Sequence, residues 1–455
     1  MLLKMSLEKI KRNQALILRN CKNFLNEERK RKVDTSISPL CFFTVWANTP
    51  GYFKVLDIQE LKKKNQFLFA LKNILSISKN FDLKLFFNND KIKSNAQNII
   101  ISYATKKNFD KRGNFSDNYF DFNSNNKNFF WLLISLDNYV PFKIKENIAI
   151  IAKKDKKSFS LIYLFKYLIK TLISSKFNPK IFRHYCWQEF NYSKIVFSLI
   201  ENLIKDLNVK NLILNYEGIP FQNYLINKIK KLNNQIKTIG YLHCAPWPLQ
   251  LDLIYKNQLL DNLIVSGGEQ KKVLKKNFGW SRKIVSFIPS LRFKKKKIKE
   301  FSGFIFVPYN LDNNHNYLER LEIYLAENKR SPLNFKVRIH PLNSKSQKHL
   351  DFKGKCEMLL IKYSSKKGRS LSNQSLFFGS ATGVCIQALE EGTMIIHFPN
   401  DEYFDVFSPS IWSNLDIKEI GKKTYMYKLK KKNYTFSTDN KKNKFLKYLK
   451  PFLKK

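Results

Sequence analysis

Glycine and proline are scarce, with 14 of each in 455 residues. Glycine is thus roughly 3% of the chain, against a usual ~7%. That excludes collagen-like and glycine-linker architectures and argues against a phosphate loop built mainly of glycine. Cysteine is sparse too. The six residues Cys21, Cys41, Cys186, Cys244, Cys356 and Cys385 form no CxxC pair. This is neither a disulfide framework nor a structural zinc spacing, and it points to a reducing compartment. No run of ~18 apolar residues occurs. The best candidate, Phe159–Phe177, is interrupted by Lys166 and Lys170 and reads as an amphipathic helix. Residues 1–33 are charged throughout, unlike a signal peptide. The expectation is a cytoplasmic protein, peripheral at most on the inner membrane face.

Acidic residues are few as well: 36, against 82 Lys and Arg, for a net charge of +46. The chain is rich in Lys, Asn, Ile, Phe and Tyr, all encoded by A/T-rich codons. Base-composition bias therefore accounts for part of the charge. What remains physical is attraction for nucleotides, nucleic acid and anionic lipid. The aromatic-with-basic spacing of an RNA-recognition module is absent, so nucleic acid is not an expected partner. Two lysine-rich amphipathic segments, 5–32 and 440–455, have two readings. They are solvated helices packed on the body, or they adhere to an anionic membrane surface.

The length suits two domains or three. Strand-like apolar runs at Asn98–Tyr103, Phe130–Leu136, Asn147–Ala152, Asn211–Asn215, Thr238–His243 and Asn262–Ser266 alternate with helical patterns at Leu61–Ser78, Ser160–Ser175, Ser193–Leu207 and Gln222–Lys231. Such alternation predicts βαβ units and a parallel sheet covered on both faces. Cys41–Trp46 is a further short β-prone run. Asn108–Lys127 is a polar loop long enough to be functional or mobile. The charged run Phe293–Glu300 reads as a linker. A second alternation follows, with strands at Gly303–Pro308, Phe335–Ile339, Cys356–Ile361, Ser375–Phe378 and Met394–Phe398 and helices at Tyr317–Asn328 and Val384–Glu391. The fold class is α/β, divided into a basic helical extension (1–38), an N-terminal Rossmann-like domain (39–292), a C-terminal one (301–430) and a basic C-terminal helix (431–455).

Four motifs carry chemistry. Strand, small-residue loop and helix succeed one another through Gly379, Ser380, Ala381, Thr382 and Gly383. This is either a phosphate loop, with the helix N-terminus and hydroxyls as donors, or an ordinary Ser/Thr-capped βαβ turn. It is not a Walker A loop. In Arg338-Ile339-His340-Pro341, a histidine stands at a strand end, where open α/β sheets bind ligands. Arg338 adds a cation on the same strand, and their pairing with the Ser380–Gly383 loop favours a phosphate role over a structural one. Glu217, in Tyr216-Glu217-Gly218-Ile219-Pro220, is a general base or a helix-start charge, because Pro220 can open the next helix. His243 and Cys244 follow the next strand. Alternating side-chain directions make them face apart, so a Cys/His nucleophile is rejected.

These residues resemble the GT-B glycosyltransferases of bacterial surface-carbohydrate (capsule and lipopolysaccharide) biosynthesis. Arg-Ile-His-Pro is similar to the His-Pro motif of polysialyltransferases, capsule Kdo transferases and CDP-glycerol glycerophosphotransferases. Gly379–Pro399 looks like the nucleotide-domain segment, and the Tyr-Glu and Gly-Tyr-x-His elements look like those of the acceptor half. The resemblance spans roughly residues 95–400. It implies two Rossmann-like domains facing across a cleft. A nucleotide-sugar would be held by Arg338, His340, Ser380, Ala381, Thr382, Gly383 and Glu390. The acceptor, a surface glycan or lipid-linked glycan, would meet Glu217 as base and His243 beside it. No metal and no cofactor beyond the donor are implied, as no DxD motif appears. Gln387 stands where many members carry a ribose-binding Glu. The alternatives are a polyol-phosphate transferase using a CDP-alcohol and a non-catalytic scaffold in glycan assembly.

Overall fold

The computed structural model describes residues 2–30, 82–88, 97–120, 123–153, 161–174, 177, 188–254, 260–293, 303–309, 311, 315–328, 335–363, 375–378, 383–399, 402–438 and 447–449. The expected strand Cys41–Trp46, the expected helix Leu61–Ser78 and nearly all of the 293–300 linker lie outside them, as do Ser380, Ala381 and Thr382.

The chain is α/β, with two sheets. The first runs β1 (Leu83–Phe87), β4 (Ile148–Lys153), β3 (Phe129–Ser135), β2 (Asn98–Ala104), β5 (Asn211–Asn215), β6 (Lys237–Tyr241), β7 (Asn262–Val265), β8 (Val285–Phe287). All neighbours are parallel except the edge pair β1–β4. The central strands are apolar on both faces because both are covered. Helices α3 (Gln188–Asp206) and α4 (Pro220–Leu232) bury Val196, Ile200, Leu225, Ile226 and Ile229 against one face. Phe115 and Phe120, from the expected long loop, join the cluster on the other face. The described part of that segment thus covers the sheet, with short bridges Phe109–Phe115 and Ser116–Asn123.

The second sheet runs β10 (Lys336–Arg338), β9 (Phe304–Phe306), β11 (Ser375–Phe378), β12 (Met394–His397), β14 (Thr424–Leu429), β13 (Leu415–Gly421). Its first four strands are parallel, and the hairpin β13–β14 is antiparallel. Helices α6 (His315–Asn328), α7 (Gln347–Lys362) and α8 (Gly383–Glu390) accompany it. The expected strand Cys356–Ile361 is instead the end of α7. Cys356 and Leu360, four residues apart, are buried, while Met358 and Ile361 are exposed. That is a helix period, which a local apolar run disguised.

The termini correct the expected boundaries. Helix α1 (Leu2–Lys30) buries Ile10, Gln14, Ile17, Leu18 and Cys21. The Gln14 side-chain amide donates to the carbonyls of Tyr403 and Val406, at 2.9 and 2.8 Å. Residues 431–438 are turns and extended backbone rather than helix, and they cross back to the first sheet. Ser437 N–H donates to Ser266 C=O (2.7 Å), and Glu269 N–H to Tyr434 C=O (2.9 Å). The Glu269 carboxylate, on α5 (Gly268–Phe278), is fully buried. It accepts from Asn414 N–H and from Thr435 Oγ1 (2.8 Å). One hydrophobic cluster includes residues of both sheets, among them Leu214, Val265, Ile395, Leu415 and Tyr425. No helix among the described residues is long and apolar enough to cross a membrane.

Candidate functional site

The C-terminal ends of the parallel strands of the first sheet share one edge, and three of them supply polar groups there. After β5 the chain turns at Gly218, with φ +78. A Cβ there would lie 2.7 Å from Asp252 C=O, so glycine is required. Gln222 pins the turn, accepting from Glu217 N–H and donating to Asn215 C=O, both at 2.7 Å. Pro220 opens α4, as expected of it. Glu217 stands ahead of the helix's first turn, at the strand-end edge of the sheet.

After β6, His243 is buried, and its Nε2 lies 3.2 Å from Glu217 Oε1. Cys244 Sγ is 3.1 Å from the same nitrogen and 3.7 Å from Glu217 Oε1. The expectation that His243 and Cys244 face apart is therefore wrong. The strand ends at Tyr241, so side-chain alternation no longer governs residues 243 and 244. The nucleophile reading still fails, for an electrostatic reason. Burial and the Glu217 charge push the Cys244 thiol well above its usual range, away from the reactive thiolate.

Burial, and then the Arg292 charge, hold His243 down to about 3, so it is neutral near pH 7. A neutral Nε2–H can donate to Glu217, while the buried Nδ1 has no hydrogen-bond partner. Burial raises Glu217, opposed by the Cys244 hydrogen bond and the Arg292 charge. A carboxylate poised above its usual range is a better proton acceptor near neutrality.

Three residues that the sequence reading did not assign to a site complete this edge. Tyr119 packs edge-on to His243, ring centroids 4.5 Å apart. Asp117 accepts from Ser102 Oγ and from the backbone N–H of Tyr119 and Phe120; burial nonetheless raises it to about 6. The Arg292 guanidinium lies over the Tyr119 ring at 5.5 Å. Its backbone is fixed on both sides. Leu291 N–H donates to Tyr241 Oη (3.0 Å) and Phe293 N–H to Ser290 Oγ (3.1 Å). Asp117 and Tyr119 sit in the loop already singled out for its length; Arg292 had no local signal.

The second sheet presents its own strand ends. His340 follows the edge strand β10, packs edge-on to Tyr309 (5.1 Å) and is exposed. Its proton affinity is lowered by partial burial and then by the Arg292 charge. Arg292 therefore acts on His340 as well as on Glu217 and His243. Arg338 is exposed over the Phe304 ring at 5.0 Å. Gly383 opens α8 against the loop after β6, where a Cβ would lie 3.5 Å from Ala245 Cβ. The expected donor residues Ser380, Ala381 and Thr382 lie outside the described residues.

Glu390 is not brought to this edge. Its carboxylate is buried and accepts from the backbone N–H of Asn433 and of Phe436 (2.9 Å), so it anchors the returning segment instead. Gln387 is buried too. Among the described residues, one group has the chemistry to ligate a soft cation. Glu217, His243 and Cys244 place their donor atoms within 4.8 Å of one another. The Arg292 charge beside them opposes a cation. A scan against protein-family models and a search of the curated proteins found no match.

Proposed function

We propose that the protein is a GT-B-like glycosyltransferase of surface-carbohydrate assembly. It would move a sugar from a nucleotide-sugar to a glycan or lipid-linked acceptor without a metal. In this reading the two sheets belong to two Rossmann-like domains facing across a cleft. The observation that carries it is the chain of contacts at the strand ends of the first sheet, where Arg292 lies over Tyr119, Tyr119 packs on His243 and His243 meets Glu217, with Gly383 of the second sheet's α8 facing Ala245 in the loop after β6.

The acceptor hydroxyl oxygen attacks the anomeric carbon, and its proton passes to Glu217. The bond from that carbon to the donor phosphate breaks, and the electron pair leaves with the phosphate. Arg292, His340 as a neutral N–H donor and the α8 N-terminus at Gly383 face the charge that develops there. Arg338, Ser380, Ala381 and Thr382 complete the donor-binding set. His243, neutral and donating through Nε2, fixes the Glu217 carboxylate. Glu390 is excluded from the donor set, because its carboxylate is spent on the backbone at 433 and 436.

Incubation with UDP-, CMP- and GDP-sugars, following release of free nucleotide, tests the reading. Release from one donor class supports it. Turnover of CDP-glycerol alone would replace it with polyol-phosphate transfer, and no binding of any nucleotide with a scaffold.

A further inference from the structure

Helix α2 (Leu161–Ser174) is apolar on two sides. Leu164 is buried, but Ile162 (71%), Phe165 (66%), Ile169 (45%), Leu172 (37%) and Ile173 (61%) are exposed. At ~100° per residue these five fall within an arc of about 100°, roughly opposite Leu164. Phe177, three residues beyond the helix, is 70% exposed. A hollow of about 470 Å³ runs along the helix, lined by Ile162, Leu164, Phe165, Lys166 and Leu168. Single exposed apolar residues need no explanation, but a contiguous stripe does.

The charge around the stripe selects the occupant. Residues 153–183 carry nine Lys and Arg and one acid, Asp155. Lys166 is exposed at the edge of the stripe itself. An apolar face bordered by lysines suits a surface that is apolar beneath and anionic above. A second copy of this chain fits poorly, because each copy brings a net charge of +46. The apolar face of α1 is buried in the protein, and near the C-terminus Leu449 is buried while Tyr448 Oη donates to Asn262 Oδ1 at 3.1 Å.

We propose that α2 seats the protein on an anionic phospholipid surface, with Ile162, Phe165, Ile169 and Ile173 entering the headgroup–acyl boundary and the flanking lysines meeting lipid phosphates. The chain enters α2 from the end of β4, which lies on the sheet edge that carries Glu217 and His243. The proposal stands independently of the transferase reading.

The test is co-sedimentation of the full chain with vesicles of phosphatidylglycerol and phosphatidylcholine in equal parts, and with phosphatidylcholine alone. Wild type should bind the mixed vesicles, less so as salt rises, and bind pure phosphatidylcholine weakly. Phe165→Glu with Ile169→Glu should lower the bound fraction at least about tenfold. The pair Phe165→Ser with Ile169→Ser, which leaves every charge in place, should lower it too. Ile361→Glu, an equally exposed apolar position on α7, should bind as wild type. Melting temperatures should stay unchanged, since none of these side chains is buried, and nucleotide binding should be unaffected. Full binding by the serine pair would overturn the proposal by leaving charge alone as the cause. So would a wild-type dimer that the glutamate pair dissociates without any effect on sedimentation.

Discussion

Replacing Glu217 with Gln keeps the shape of the side chain and its contact with His243 but removes its basicity. The carboxylate is held above its ordinary range by burial and restrained by the Arg292 charge and the Cys244 thiol. It is the deprotonated form that accepts the proton. The rate constant kcat/KM should therefore fall as pH drops through this raised value, with an acid limb above the usual carboxylate range. General-base catalysis is worth roughly 10²–10⁴ in rate, or about 2.7–5.4 kcal/mol at 1.36 per tenfold. Glu217→Gln should lose that factor in transfer and lose the acid limb, while nucleotide affinity is retained. The assay is donor turnover across pH in wild type and variant, with calorimetry for donor binding. Arg292→Met should shift the wild-type limb to still higher pH, because an opposing cation is gone. Full activity in Glu217→Gln, with the limb intact, would refute the base assignment and send the search to His243.

Other outcomes follow from the same geometry. His340→Ala removes one donor to a charged phosphate and should weaken nucleotide binding by about 1.5–3 kcal/mol, read by calorimetry, with the melting temperature retained because the side chain is exposed. Burial raises Glu390 from the ordinary carboxylate range to about 7, so the folded chain binds the extra proton between the two. Its contribution to stability is present at low pH and is lost as pH rises through about 7. Melting temperatures from pH 5 to 8 should decline more in wild type than in Glu390→Gln, and parallel curves would contradict this. Chelation by EDTA should leave transfer unchanged; loss of activity restored by Zn²⁺ would instead make Glu217, His243 and Cys244 a metal centre.

The central strands were legible because burial on both faces leaves an unbroken apolar run, as in Phe129–Ser135. The edge strand β1 and the hairpin β13–β14 were not. Leu415–Gly421 reads Leu-Asp-Ile-Lys-Glu-Ile-Gly and buries alternate residues near its start, so it lacks such a run. Cys356–Ile361 carried the opposite ambiguity, five apolar residues in six, of which a helix buries two. At the site, Glu217 and His243 were visible as polar breaks at strand ends. Asp117, Tyr119 and Arg292 were not, because Tyr119 reaches His243 only through a tertiary contact across more than 100 residues, Asp117 acts by holding the Tyr119 backbone, and Arg292 comes to Tyr119 from a segment beyond the last strand. Glu390 was misread for a related reason. Its acceptors' partners, Asn433 and Phe436, return from over forty residues away.

The central claim is that strand ends of both sheets converge on one anionic ligand at Arg292. Calorimetric titration of UDP, CDP, CMP and GDP into wild type and Arg292→Met tests it most directly. The guanidinium is exposed and over the Tyr119 ring, so the variant should fold as wild type does. The account predicts that at least one nucleotide binds wild type, and that Arg292→Met weakens it by at least about tenfold, the loss of one charge-assisted contact. Binding that is unchanged in Arg292→Met, or no binding of any nucleotide to wild type, would contradict it.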